Sequence, residues 1–145
     1  MNSVLRFETC SDEETREVGR QLAGLLPRQA AVLLIGNLGA GKTTLAKGIA
    51  EGRGAASADE VSSPTFTLIH EYGNPAAIYH VDLYRLDTAE EVRRLGLEDL
   101  FEADALVLVE WGERFPELLP AKRIEIRITA AGDDERTIEV SGFDH

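Results

Sequence analysis

The stretch AVLLIGNLGAGKTTLAKGIAEG, residues 31–52, decides how the rest of the chain is read. Its first five residues are apolar without alternation, as a strand must be when helices cover both faces of its sheet. Three glycines, one lysine and two threonines then fall within the nine residues from Gly36 to Thr44, where little can pack into a core. Gly36, Gly39 or its neighbour Gly41, then Lys42 and Thr43 satisfy G-x-x-x-x-G-K-[ST], and TTLAKGIAEG continues as a helix that stops near Gly52 and Gly54. Strand, glycine loop and helix in this order suit a phosphate chain. Glycines let successive backbone N–H groups curl around it, and the helix N-terminus adds the positive end of its dipole. Asn37, Leu38, Gly39, Ala40 and Gly41 are therefore expected to bind nucleotide. Lys42 is expected to reach the β and γ oxygens, Thr43 to give Mg²⁺ a hydroxyl ligand, and Thr44 to touch a further phosphate oxygen.

Outward from this loop, periodicity supplies the other elements. SVLRFET alternates as a first strand, and SDEETREVGRQLAGLLP opens with Ser11 and Glu14 in capping-box spacing. Val18, Leu22 and Leu25 share a face of that helix, which stops at Pro27. GRGAASADEVSSP suggests a mobile connection, TFTLIHEY and AIYHVDLY read as a hairpin, and Thr88 with Glu91 caps one short helix over EEVRRLGLEDLF. ALVLVE (105–110) is another fully apolar strand, while RIEIRIT and RTIEVSG alternate as an antiparallel pair. The expected fold is α/β, a P-loop NTPase-like three-layer arrangement whose mixed sheet is parallel at its centre and antiparallel at its margins.

The 145 residues, 43% of them hydrophobic, suit a single domain spanning 1–145. With 26 acidic against 15 basic residues the net charge is −11, which repels a nucleic-acid backbone, so any RNA is expected to be held by a partner. One cysteine, Cys10, excludes an intramolecular disulfide and fits a free structural thiol in a reducing compartment. No apolar run approaches a membrane span, and the N-terminus lacks the basic-then-apolar layout of a signal peptide, which points to the cytoplasm.

A phosphate loop needs a carboxylate at the end of a neighbouring strand to hold Mg²⁺. Glu110 ends ALVLVE in the Walker B manner, and Asp82 lies in YHVDLYR, where His80, Asp82 and Tyr84 share one face of an alternating strand. Both carboxylates remain candidates. Trp111 follows Glu110 and lies either in the core or against nucleotide or partner. In SSPTFTL, residues 62–68, Thr65 is the candidate sensor of the γ-phosphate.

In this order and at these intervals, GNLGAGKTT, SPTFTL, YHVDLYRL and VEWGE resemble the bacterial TsaE family, also called YjeE, over residues 31–113. The resemblance implies a small P-loop ATPase that uses ATP and Mg²⁺. Its pathway makes N6-threonylcarbamoyladenosine at position 37 of tRNAs that read ANN codons. The implied partners are TsaB and TsaD, whose complex the ATPase resets between turnovers, with tRNA met only through that complex. By motif, Lys42 and Thr43 bind phosphate and Mg²⁺, Glu110 is a metal ligand, Asp82 is the catalytic carboxylate, Thr65 falls in a switch segment, and Trp111 lies beside the nucleotide. Asn37 departs from the aspartate expected there but keeps its backbone N–H.

Three rivals are weighed against this reading. A small-molecule kinase needs an acceptor pocket and an arginine-rich lid, whereas EEVRRLGLEDLF offers two adjacent arginines. A GTPase usually carries N-K-x-D, and none of Asn2, Asn37 or Asn74 precedes a lysine. A nucleotide-gated binding module with incidental hydrolysis fits every motif. Arg85, Arg93 and Arg94 form the basic cluster near the motifs, either a solvated helix face or a contact surface.

Overall fold

A computed structural model describes residues 5–37, 39–54, 69–73 and 77–142. Seven strands form one sheet: β1 (Leu5–Thr9), β2 (Ala30–Ile35), β3 (Ile69–Tyr72), β4 (Ile78–Asp82), β5 (Leu106–Glu110), β6 (Ile124–Ala130) and β7 (Arg136–Ser141). Their order is β1-β7-β6-β2-β5-β4-β3. The inner pairs β6–β2, β2–β5 and β5–β4 are parallel, and the outer pairs β1–β7, β7–β6 and β4–β3 are antiparallel, as the alternation of the outer strands predicts. The apolar run of β5 follows from its place, for every residue in it is buried.

Helices cover both faces. On one, α1 (Asp12–Leu25) and α2 (Lys42–Gly52) pack Val18, Leu22, Leu45 and Ile49 against Val32, Leu34, Leu106 and Leu108. On the other, α3 (Ala89–Arg93) and α4 (Leu97–Glu102) bring Val92 and Leu97 against Leu33, Val81, Val107 and Val109. Each fully buried apolar side chain contributes roughly 2 kcal/mol, so this sandwich fixes the level at which the strands end.

Four expectations need correction. Leu25 is 54% exposed, because α1 ends there and the chain turns extended at Leu26, which is buried in its place and donates its N–H to Leu22. Ser11 Oγ accepts the Glu14 N–H at 3.1 Å, but the Glu14 carboxylate reaches the N–H of Cys10, not of Ser11, so the first capping box is displaced by one residue. The helix expected over EEVRRLGLEDLF is two helices, broken where Gly96 takes φ +78°. Tyr84 does not share a strand face with His80 and Asp82, since β4 ends at Asp82 and Tyr84 lies in the following turn. Cys10 is free, as expected, yet exposed and so not a packed thiol. Thr65, Leu38 and most of the Gly/Ala/Ser connection lie outside the described residues.

Candidate functional site

The site sits where the parallel strands end, the position at which open α/β sheets place their ligands. Leu34, Glu110 and Asp82 stand level on β2, β5 and β4. Because side chains alternate along a strand, Glu110 shares the face of Leu106 and Leu108, and Asp82 and His80 share the face of Ile78. All of them therefore look toward α1 and α2. The glycine loop leaves β2, and α2 begins at Lys42 behind Gly41, whose φ of +110° is open to glycine and strained for other residues.

Lys42 is buried, and among the described residues its Nζ has no hydrogen-bond partner. It rests 3.6 Å from the centre of the Trp111 ring, a cation–π contact that replaces only part of its lost hydration. Burial pushes the Lys42 amine below its ordinary range, against the pull of Glu110, Glu113 and Asp82. Trp111 itself takes φ +67°, a left-handed conformation that is costly for so large a side chain, and its ring also meets Tyr84 at 5.0 Å. A strained backbone that aims an indole at a buried ammonium is a built feature of this site. The ring of Trp111 also packs on the second hydrophobic cluster, in line with the core reading.

The two carboxylates differ. Glu110 is buried, and its Oε2 accepts from His80 Nε2 at 2.5 Å. The other ring nitrogen, His80 Nδ1, is buried without a hydrogen-bond partner among the described residues. Asp82 is half-buried, and burial raises its carboxyl above the usual range, partly offset by the Tyr84 N–H that donates to Oδ1 at 2.9 Å. Among the described residues no hydrogen bond reaches its other oxygen. Arg114 holds the turn beyond Asp82 by donating to the carbonyls of Leu83, Tyr84 and Leu86.

Among the described residues no group of three or more His, Cys, Asp or Glu side chains could hold a metal alone. The Thr43 hydroxyl and the Glu110 and Asp82 carboxylates are hard oxygen donors near the start of α2, a donor set of the kind that fits Mg²⁺ bound through one or two carboxylates together with phosphates. On the loop's other side an open cavity of about 270 Å³ is lined by Asn37, Gly39, Ala40, Glu113, Arg127 and Thr129.

The structure thus gathers Lys42, Asp82, Glu110 and Trp111 with the loop, and separates Arg85, Arg93 and Arg94, which are exposed; Arg94 pairs with Glu90 as on an ordinary helix face. Residues without a sequence signal are Arg114 and Arg136, both of which grip backbone carbonyls. Among the described residues no helix is long and apolar enough to cross a membrane.

Comparison with known proteins agrees with this fold. A crystal structure of YdiB from Bacillus subtilis superposes with a TM-score of 0.78 at 36% identity, covering 99% of this chain and 88% of that one. A Bacillus subtilis protein described as tRNA threonylcarbamoyladenosine biosynthesis protein TsaE is 42% identical over 92% of this chain and 83% of its own length. A relative of the same description from Treponema pallidum is 34% identical over 94% of this chain and 100% of its own. The family model for threonylcarbamoyl adenosine biosynthesis protein TsaE matches residues 9–138. The chain therefore belongs to the TsaE family of tRNA threonylcarbamoyladenosine biosynthesis proteins.

Proposed function

We propose that this chain binds ATP with Mg²⁺ in its glycine loop and hydrolyses it to ADP and phosphate, working in the cytoplasm with the TsaB–TsaD pair and resetting that complex between turnovers. One observation carries the nucleotide reading: a buried Lys42 ammonium without a hydrogen-bond partner among the described residues, at the start of the helix that follows the loop. A charge so placed calls for an anion, and the N-terminus of α2 favours one. The family's place in tRNA threonylcarbamoyladenosine synthesis supports the wider role, and the −11 charge supports meeting tRNA through a partner.

In this reading the backbone of residues 37–41 cradles the phosphates, Lys42 leaves Trp111 for the β and γ oxygens, and Thr44 adds a hydroxyl. Thr43 and Glu110 would hold Mg²⁺, with His80 fixing the Glu110 carboxylate through Nε2. The metal, when bound, neutralises charge that develops on the phosphate oxygens. Asp82 orients the attacking water through its second oxygen. The water oxygen bonds to the γ-phosphorus, the bridging bond to the β-phosphate breaks, ADP departs, and the water's proton passes to Asp82 and on to solvent. Thr65 is proposed as the γ-phosphate sensor, and Trp111 as the wall of the phosphate site.

The test is phosphate release from Mg·ATP, by the chain alone and with the TsaB–TsaD pair, alongside binding read from Trp111, the chain's single tryptophan. Asp82→Ala is expected to keep binding and lower turnover about a hundredfold. Lys42→Ala is expected to weaken binding itself. Parental turnover in Asp82→Ala would remove Asp82 from catalysis, and binding without hydrolysis under all conditions would leave a nucleotide-gated module.

A further inference from the structure

Arginine in so acidic a chain has many carboxylates to choose from: Arg28, Arg94 and Arg123 each take one, and Arg20 takes Glu13, Glu17 and Glu51. Arg136, the first residue of β7, does not. Among the described residues it pairs with no carboxylate; its Nε donates to the carbonyl of Ala40 at 2.9 Å, and its Nη2 points at the carbonyl of Gly39 at 3.5 Å. Its Nη1 donates to the carbonyls of Gly132, Asp133 and Glu135 in its own hairpin. One guanidinium therefore ties the glycine loop to the β6–β7 turn, 96 residues along the chain.

The consequence follows from peptide geometry. In a planar trans peptide the C=O of one residue and the N–H of the next point in opposite directions. With the Ala40 carbonyl drawn toward Arg136, the Gly41 N–H must point away from the hairpin. The neighbouring carbonyls are also occupied: Asn37 O accepts from Ala40 N–H at 3.0 Å, and Gly41 O accepts from Leu45 N–H at 2.9 Å. Of the four described loop carbonyls from Asn37 to Gly41, the two in the middle depend on Arg136. Glycines at 39 and 41, with φ of +79° and +110°, give this stretch freedom to rotate its peptide planes, so an external grip is needed to keep them set.

We propose that Arg136 is a positioning residue of the phosphate loop, holding the Ala40 carbonyl outward so that the Gly41 N–H stays turned to the anion. The proposal rests on the nucleotide reading above and adds a residue to it.

The experiment compares Arg136→Ala, Arg136→Lys and a loosened turn, Asp133→Gly with Asp134→Gly, in the full chain. ADP affinity is measured by calorimetry, and the exchange of the Gly41 amide by NMR in ligand-free protein, with melting temperature recorded for each. Arg136→Ala is expected to weaken ADP binding about tenfold, the scale of a lost hydrogen bond to a charged group, with faster Gly41 exchange. Arg136→Lys keeps the charge without the fork and is expected to recover only part. The loosened turn, with Arg136 intact, is expected to bind as the parent does. Parental ADP affinity in a folded Arg136→Ala overturns the proposal, and so does an equal loss in the loosened turn, which would assign the effect to hairpin rigidity. If Arg136→Ala fails to fold, the lysine variant against the loosened turn decides by the same criterion. Failure of the parent to bind ADP would sink the nucleotide reading, while the Gly41 amide still reads the loop: unchanged exchange overturns the proposal, faster exchange upholds the grip.

Discussion

The helices on the two faces of the sheet are held by different kinds of contact. On the face that carries the glycine loop, α1 and α2 meet backbone to backbone through Gly19, Gly48 and Gly52, and Arg20 ties itself across to Glu51. On the opposite face α3 and α4 are short, separated by one left-handed glycine, and closed at their start by a side-chain capping box. The difference follows from what each face must position. α2 carries Lys42 and Thr43 at its first turn, so a shift of its axis is a shift of the site; α3 and α4 cover the sheet and carry no candidate site residue.

A single substitution type separates the two. In a solvated helix, glycine to alanine stabilises by up to about 1 kcal/mol. At Gly48 the added Cβ would lie 2.0 Å from the carbonyl oxygen of Arg16 and 2.9 Å from the Cα of Gly19, and all these atoms are backbone. Nothing there can rotate aside. Gly48→Ala is therefore expected to force the helices apart at a cost of about 3 kcal/mol, seen as a lower denaturation midpoint, and to weaken ADP binding with it. A stabilised Gly48→Ala would mean that α1 and α2 do not touch as described.

Gly96→Ala tests the other face by a different mechanism. Among the described residues nothing beyond the adjoining chain lies within 4 Å of the added Cβ, but φ of +78° is unfavourable for a residue with a side chain. The expected loss is about 1 kcal/mol, from conformation alone, with ADP affinity unchanged. If Gly96→Ala weakens ADP binding as Gly48→Ala does, the two faces are coupled and the contrast drawn here fails.

How much of this was legible in the sequence depends on the kind of interaction. The run 31–52 announces strand, loop and helix because burial and backbone freedom leave marks in residue type, and ALVLVE announces a central strand ending in a carboxylate for the same reason. Asp82 and Glu110 come together because parallel strands align their ends, which the sequence implies once the strands are found. The α1–α2 seam through Gly19, Gly48 and Gly52 was hidden, since a close approach belongs to two segments at once and neither shows it alone. Arginines were misleading in the same way. Arg53, Arg114 and Arg136 each gather backbone carbonyls, while Arg93 and Arg94, adjacent and conspicuous, lie on a solvated face. A carbonyl has no residue type, so sequence cannot mark it as a partner.

The capping box at α3 gives the smallest test of the contrast, and the one with a pH signature. Thr88 Oγ1 accepts the Glu91 N–H at 3.2 Å, and Glu91 Oε1 accepts from the N–H groups of Thr88 at 3.0 Å and Asp87 at 3.1 Å. Thr88→Ala is expected to cost about 1 kcal/mol without touching ADP binding. The Glu91 carboxyl is held below its ordinary range, first by the Asp87 N–H and then by Thr88. A carboxyl lowered on folding contributes stability above its unfolded pKa and loses it as pH falls through the folded value. Glu91→Gln should therefore narrow the loss of stability on acidification from neutral pH, measured as denaturation midpoints against pH. The change stays small because Glu91 faces solvent, where such interactions are screened. A Glu91→Gln profile parallel to the parent's would show that the box closes α3 by geometry rather than by charge, and the α3–α4 face would then owe its order to packing as the α1–α2 face does.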